Sequence, residues 1–294
     1  MSTSPPAAPP GLKQAIFPLQ LLGFDVDPIN SVQFSNHTGY KEGWEGEVMN
    51  GAQLAALLEG LGRNKLLGNY SYMLTGYIGS VSFLRQVLDV FNTLRNESPE
   101  VRYFCDPVLG DKGKLYVPKE LVEVYKAEVL PVVSVLTPNQ FELELLTEMK
   151  VTDVASARVA FEKLHERGVG TVVLTSCDFT EKPGSLLLLA SVSRGEGEKP
   201  RVLQALQPRV SGHYTGTGDL IAALLLAWME KLDGDIEGCI LRACTTMNAV
   251  VERTKRGMDE GVNPNAELLL IQSRRDIESP DTSSSRVSVQ TLED

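Results

Sequence analysis

Tyr214-Thr215-Gly216-Thr217-Gly218-Asp219 runs directly into Leu220-Ile221-Ala222-Ala223-Leu224-Leu225-Leu226-Ala227-Trp228, and the rest of the chain is organised around this junction. Two glycines separated by one hydroxyl residue let the backbone turn tightly and bare its N–H groups. The following run is rich in Ala and Leu, which are strong helix formers. A glycine turn that opens a helix presents unpaired amides and the positive end of the helix dipole, a ready site for phosphate. Asp219 stands out, because a carboxylate among such amides weakens anion binding unless it has another task. Two readings stand for it: an N-terminal helix cap, or a general base beside a transferring phosphoryl group. A short glycine turn does not choose between them.

Working outward, 294 residues suffice for one large α/β domain or two small ones. With 43% hydrophobic and 22% charged residues the composition is that of a soluble globular protein. A net charge of -10 without a basic stripe argues against nucleic acid as a partner, yet leaves ATP open, since that needs only local amides, a cation and a lysine or two. Cys105, Cys177, Cys239 and Cys244 show no C-x-x-C spacing. They read as buried free thiols of a reducing compartment, not a zinc site. The start, Met1 to Pro10, has no signal-peptide pattern, and no apolar run approaches a membrane span. The expected location is the cytosol.

Strand and helix patterns alternate along most of the chain. Ile29–Phe34, Tyr70–Thr75, Val101–Val108, Val132–Leu136 and Thr171–Leu174 read as strands. Gln14–Phe24, Asn50–Leu61, Ser80–Leu94, Lys119–Val129, Val154–Arg167, Leu220–Leu232 and Ile236–Arg256 read as helices. Leu186–Ala190 and Val202–Leu206 read as a hairpin around the charged loop Arg194–Lys199. The alternation implies an α/β fold with a mainly parallel sheet covered by helices on both faces. Ligands then bind beyond the carboxyl ends of the strands, where polar clusters fall at His37–Thr38, Gly76–Tyr77, Asp106–Asp111, Asn139–Glu142 and Thr175–Ser176. The expected division is a Pro-rich disordered tail over 1–12, one domain over 13–278 and a disordered tail over 279–294.

The motifs converge on a known family. Asn30-Ser31-Val32-Gln33-Phe34-Ser35-Asn36-His37-Thr38-Gly39-Tyr40, Thr75-Gly76-Tyr77, Cys105-Asp106-Pro107-Val108-Leu109-Gly110-Asp111, Thr137-Pro138-Asn139-Gln140-Phe141-Glu142 and Gly216-Thr217-Gly218-Asp219 follow one another in order. Together, from about Ala15 to Pro280, the chain resembles pyridoxal kinase, of the ribokinase-like superfamily. The resemblance implies a ribokinase-like three-layer α/β/α fold. It also implies transfer of the ATP γ-phosphoryl group to the 5′-hydroxyl of pyridoxal, with pyridoxine and pyridoxamine as related substrates. A homodimer is expected on the same ground.

Residue by residue, the resemblance makes Asp219 the base and gives the amides of Gly216, Thr217 and Gly218 the developing charge to hold. Asp106, Asp111 and Glu142 become oxygen donors for Mg²⁺ or another divalent cation, directly or through water. A monovalent cation such as K⁺ or Na⁺ is implied near Asp111, Thr137 and Thr175. Asp106, Asn139, Thr175 and Ser176 match nucleotide- and phosphate-contacting positions, and Tyr116 lies in the loop covering the phosphates. On the vitamin side, Thr38 is expected to bond ring substituents, Tyr77 to pack on the pyridine face, and His37 to lie nearby. Plain structural readings stand beside these: Asp106 and Glu142 as helix caps, His37 as a satisfied loop histidine, Tyr77 as core packing. His165 and His213 show no partner in the sequence and read as structural. Trp228 reads as core.

The chain departs from the family at its start. Pyridoxal kinases usually begin with a core strand and a polar, Gly-containing turn that supplies a Ser to the vitamin ring. Here the matching stretch is Met1-Ser2-Thr3-Ser4-Pro5-Pro6-Ala7-Ala8-Pro9-Pro10-Gly11, and a run of prolines cannot make a central strand. The expectation is a sheet lacking that strand and a vitamin pocket lacking one wall. The alternative function is therefore a catalytically weakened, nucleotide-binding form. The loop Asp111–Tyr116 is also shorter than the family's lid.

Overall fold

In a computed structural model, residues 12–38, 40–177, 179, 182–195, 197–263 and 265–293 are described. In chain order the elements are α1 (Leu12–Leu21), β1 (Val32–Phe34), β2 (Gly46–Val48), α2 (Gly51–Arg63), β3 (Tyr72–Thr75), α3 (Val81–Glu97), β4 (Arg102–Cys105), β5 (Gly110–Asp111) and β6 (Lys114–Leu115). There follow α4 (Lys119–Val124), β7 (Val135–Leu136), α5 (Gln140–Thr147), α6 (Val154–His165), β8 (Thr171–Cys177), β9 (Ser185–Val192) and β10 (Arg201–Pro208). The last are α7 (Thr217–Lys231), α8 (Ile236–Asp259), α9 (Arg274–Glu278) and β11 (Ser288–Leu292).

The main sheet has the order β11-β10-β9-β8-β7-β4-β3. Strands β3, β4, β7 and β8 are mutually parallel, whereas β9, β10 and β11 extend the sheet antiparallel. Alternating side chains divide β4 between the two faces. Tyr103 and Cys105 join an apolar cluster with Phe91 of α3, Leu121 of α4, Leu143 of α5 and Phe161 of α6. Phe104 faces the other way, into a cluster with Leu19 of α1 and the apolar residues of α7 and α8. Helices therefore cover both faces, as the α/β reading requires. From Leu220 to Met229 every residue of α7 is buried, as befits a helix apolar all round and sandwiched between sheet and helices.

The parallel half carries the polar loops. Beyond the last paired residues of β3, β4 and β7 the ladder continues through Asp106 N–H to Thr75 O (2.9 Å) and Thr137 N–H to Cys105 O (3.0 Å). Asp106 and Thr137 are thus fixed at the strand ends by main-chain bonds. Strands β1 and β2 form a separate two-stranded flap, tied to the turn after β3 by Ser31 Oγ donating to Tyr77 O at 2.7 Å.

Three sequence expectations change. The tail over 279–294 was expected to be disordered. Instead, Ser288–Leu292 pairs with Val202–Leu206 as β11, with Val287 buried beside it. A Ser- and charge-rich stretch suits an edge strand with only one face covered. Leu12–Leu21 is the first helix, so it begins before Gln14 and ends before Phe24. The helix expected over Lys119–Val129 widens into a π turn at Tyr125–Val129. The proline-rich start, 1–11, lies outside the described residues. Among the described residues β3 is the sheet's edge, and all four of its residues are only half-buried. The four cysteines are buried thiols outside any disulfide, as expected.

Candidate active site

The acid end of the site is built from main-chain amides. Glu142 lies in the first turn of α5, in a capping box with Asn139: Asn139 Oδ1 accepts from Glu142 N–H and Glu142 Oε2 accepts from Asn139 N–H, both at 2.9 Å. The other carboxylate oxygen, Oε1, accepts from the amides of Leu109 (2.9 Å) and Gly110 (3.3 Å). Asn139 Nδ2 donates to Gly110 O at 2.8 Å. One buried carboxylate therefore fastens the loop after β4 to the turn after β7. The helix-cap reading of Glu142 holds: it is the N3 partner of the Asn139 capping box.

Asp106 is 7% exposed and Thr137 2%. Thr137 Oγ1 donates to Asp106 Oδ1 at 3.3 Å. Burial, then the nearby charges of Glu142 and Asp219, push Asp106 well above the usual carboxylate range, against the opposing pull of the Thr137 hydroxyl. Burial raises Glu142 to about 7, opposed by the three amides it accepts from. Asp106, pressed by the charges of Glu142 and Asp219 in a desolvated corner, offers oxygens whose repulsion a hard cation would relieve. Both oxygens of Glu142 are already engaged by amides, so the fit is to a cation held chiefly by Asp106 and water. Among the described residues no group of three His, Cys, Asp or Glu side chains is arranged as an all-protein metal cage.

Asp219 occupies the first turn of α7, directly after the glycine turn. Burial raises it from 3.8 to about 6, with an amide hydrogen bond opposing. It sits among strand ends: a Cβ placed on Gly76 would lie 3.2 Å from Asp219 Oδ1, and one on Gly218 would lie 3.4 Å from Asp106 Oδ2. The turn after β3, the loop after β4 and the start of α7 therefore meet at one point. Gly216 has φ +83, in the left-handed region, and a Cβ there would lie 2.7 Å from Gln14 Cγ. Gln14, on α1 and 4% exposed, is a wedge behind the turn that the sequence did not reveal.

The remaining residues divide. Thr175 lies at the end of β8, its N–H and Oγ1 both directed to Pro138 O (3.0 and 3.3 Å). Ser176 follows in an irregularity of the strand between Leu174 and Cys177. Asp111 lies in the β5–β6 hairpin, close enough for its charge to raise Glu142. Tyr116 is 52% exposed beside that hairpin, anchored by its N–H to Leu109 O at 2.8 Å.

On the flap, Thr38 is exposed, and Gly39 lies outside the described residues. His37 is half-buried, its ring centroid 4.4 Å from that of Tyr40 and its Nε2 3.9 Å from Glu267 Oε1. Burial lowers its pKa, with Glu267 raising it and His213 lowering it. His213, read from the sequence as structural and without a partner, thus lies within electrostatic reach of His37. His165 is structural as expected, its nitrogens 2.7 Å from Val169 O and 2.8 Å from Ser191 Oγ. Tyr77 packs against the larger apolar cluster and curls back on its own loop, with a Cβ on Gly79 falling 3.1 Å from its hydroxyl. Glu267, like Gln14, carried no sequence signal of its own, and Tyr40 stood in a motif without a role: each matters through a partner distant in the chain.

A carboxylate raised towards neutrality beside a glycine turn at a helix N-terminus, at the carboxyl ends of a parallel sheet, defines the class: an α/β phosphotransferase. The chain matches the phosphomethylpyrimidine kinase family over residues 69–264. It is 48% identical over 274 residues to a pyridoxal kinase of Arabidopsis thaliana, covering 92% of this chain and 87% of the relative. The pyridoxal kinase of Leishmania donovani in complex with ADP and ginkgotoxin superposes with a TM-score of 0.88 at 34% identity, covering 98% of this chain and 96% of that one. The same enzyme with ADP and pyridoxine gives 0.87 at 35% identity, covering 97% and 95%. The chain belongs to the pyridoxal kinase family.

Proposed function

We propose that this chain phosphorylates the 5′-hydroxyl of pyridoxal, and of pyridoxine and pyridoxamine, with ATP as donor, giving pyridoxal 5′-phosphate and its counterparts in B6 salvage. The observation that carries the reading is Asp219, desolvated beside Gly76 and Gly218 at the start of α7. The Leishmania relatives bound to ADP together with pyridoxine or ginkgotoxin support it.

Phosphoryl transfer asks mainly for positioning and charge stabilisation. With a pKa of about 6, Asp219 is mostly ionised at neutral pH and still basic enough to accept a proton. As the vitamin oxygen bonds to the γ-phosphorus and the β–γ bridging P–O bond breaks, its proton passes to an Asp219 carboxylate oxygen. The amides of Gly216, Thr217 and Gly218 stabilise charge on the transferring group, helped by the dipole of α7. Asp106, Asn139, Thr175, Ser176 and Tyr116 form the nucleotide side. Asp106, with Asp111 and Glu142 behind it, would hold a divalent cation, which when bound neutralises phosphate oxygens. Asp111, Thr137 and Thr175 bracket the turn where K⁺ or Na⁺ is proposed. Thr38, His37 and Tyr77 receive the vitamin. A homodimer in the cytosol is the proposed working form; no described helix is long and apolar enough to cross a membrane.

The test is formation of pyridoxal phosphate by the purified chain, followed by its absorbance, with ATP binding measured in parallel. Turnover with a preference for pyridoxal is expected. ATP binding without turnover would select the second reading, a nucleotide-binding form with an incomplete vitamin pocket. That reading is favoured by one observation, the half-buried edge strand β3.

A further inference from the structure

Glu267 belongs to none of the motifs, yet it touches both halves of the site. Its side chain reaches the flap: Tyr40 Oη donates to Glu267 Oε1 at 3.0 Å, and His37 Nε2 lies 3.9 Å from the same oxygen. Its backbone reaches the glycine turn, because Glu267 forms a parallel bridge with Thr215, the residue immediately before Gly216. The segment itself is firmly held. Asn263 Nδ2 donates to Glu267 O at 2.8 Å, Ala266 takes a left-handed φ of 55, Leu268 is 3% exposed, and Leu269 N–H donates to Thr254 Oγ1 at 3.1 Å. Glu267 is thus a half-exposed carboxylate on a hydrogen-bonded segment, placed where the flap can tie to it.

We infer that Glu267 is a positioning residue, a latch that couples seating of the flap over the vitamin to the register of the Gly216–Asp219 turn. The inference rests on the kinase reading of the site. Physically, the latch lowers the conformational freedom of the segment carrying His37 and Thr38. It does so through a charge-assisted hydrogen bond, the stronger kind, held in the frame that positions the anion hole. Tyr40 behaves as the donor this requires: burial and the Glu267 acceptor both raise its pKa, so the hydroxyl keeps its proton. Glu267 touches neither the reacting oxygen nor the phosphates in this account.

The experiment compares the full chain with Glu267→Ala, Glu267→Gln, Tyr40→Phe and the double variant Tyr40→Phe/Glu267→Ala. Loss of one charge-assisted bond predicts a pyridoxal KM about tenfold higher in Glu267→Ala, with the ATP KM unchanged. Tyr40→Phe should reproduce most of that, the double variant should be no worse than Glu267→Ala, and Glu267→Gln, which keeps an acceptor oxygen, should recover most of it. A merely structural role would lower thermal stability without splitting the two KM values. A readout independent of turnover is trypsin cleavage after Lys41, exposed on the flap. Cleavage should quicken in Glu267→Ala and Tyr40→Phe. Unchanged cleavage, additive single effects, or equal shifts in both KM values would overturn the latch. If the wild-type chain phosphorylates no B6 vitamer, the kinase reading fails, and the cleavage rates alone decide whether Glu267 holds the flap.

Discussion

The two walls of the site are built differently. At the acid end, Asp106, Thr137 and Glu142 are almost fully buried: Glu142 accepts from main-chain amides of the strand-end loops, and Thr137 donates to Asp106. At the flap, Thr38 is exposed, and the His37–Tyr40 segment is fastened through side-chain contacts to a residue far along the chain. The first wall follows from strand termini that must satisfy their backbone whether or not a ligand is present. The second has its own two-stranded hairpin, with Val32 and Phe34 buried but β2 exposed throughout. One wall is held by the strand ends, and the other by side-chain contacts across the chain.

The sharpest break in that comparison is at Asp219, the proposed base between the walls. Asp219→Asn keeps the shape and removes the proton acceptor, so kcat should fall by about 10²- to 10⁴-fold while ATP affinity changes little. Isothermal titration and steady-state kinetics on the same preparation read both quantities. Turnover near the wild-type value would remove Asp219 as the base. The same group sets a pH limb. Its folded-state pKa is raised from 3.8 to about 6, so the active, ionised form is lost as pH falls through about 6, and kcat should fall with it. Stability runs the opposite way. The folded state binds the proton more tightly than the unfolded chain, so acidification from about 7 towards 4 stabilises the protein through this group. Measured in chelator, acidification from about pH 7 towards 4 should raise Tm more, or lower it less, in wild type than in Asp219→Asn.

Next in size is the wiring itself. Glu142→Ala would orphan the buried amides of Leu109 and Gly110 and the half-buried amide of Asn139. The loss should be about 3 kcal/mol by urea unfolding, since each unsatisfied buried group costs roughly 1–3 kcal/mol and relief of repulsion on Asp106 offsets part. Glu142→Gln retains a carbonyl oxygen and should lose less. An alanine variant as stable as wild type would mean that water serves these amides equally well.

How far the sequence reached follows the same divide. The acid end was legible because its chemistry is local: Asn139 and Glu142 form a capping box within one turn, and Asp106 and Thr137 stand directly after apolar strands. The glycine turn was legible because its dihedrals demand glycine. Gln14, Tyr40 and Glu267 were not, since each acquires its role only when a distant segment packs against it, and no periodicity marks such pairs. The C-terminal strand β11 escaped for a related reason. Its residues form a strand because β10 offers an edge to pair with, not because their own composition favours one.

A middle-sized effect joins the two kinds of region. Gly216→Ala would combine a left-handed φ of +83 with a methyl 2.7 Å from Gln14 Cγ. The backbone alone costs about 1–2 kcal/mol, and the displaced turn should lower kcat more than it raises the ATP KM. Adding Gln14→Ala removes the clash but not the strain, so the double variant should regain only part of the loss. Full recovery would place the whole effect in packing, and no recovery would leave Gln14 without influence on the turn.

The smallest expected effect lies on the open wall. Thr38→Ala deletes an exposed hydroxyl, and surface changes of that kind stay within about 0.5 kcal/mol of wild-type stability. Its consequence should fall on substrate instead. If the hydroxyl bonds a substituent of the vitamin ring, its loss should raise the pyridoxal KM roughly three- to tenfold, the value of one neutral hydrogen bond, and leave the ATP KM alone. The pair Thr38→Ala and Glu142→Ala therefore makes a crossed test, one costing affinity for the vitamin without stability and the other stability first. A Thr38→Ala protein that melted several degrees lower would mean that the flap is wired into the fold as tightly as the acid end, and the contrast between the walls would be lost.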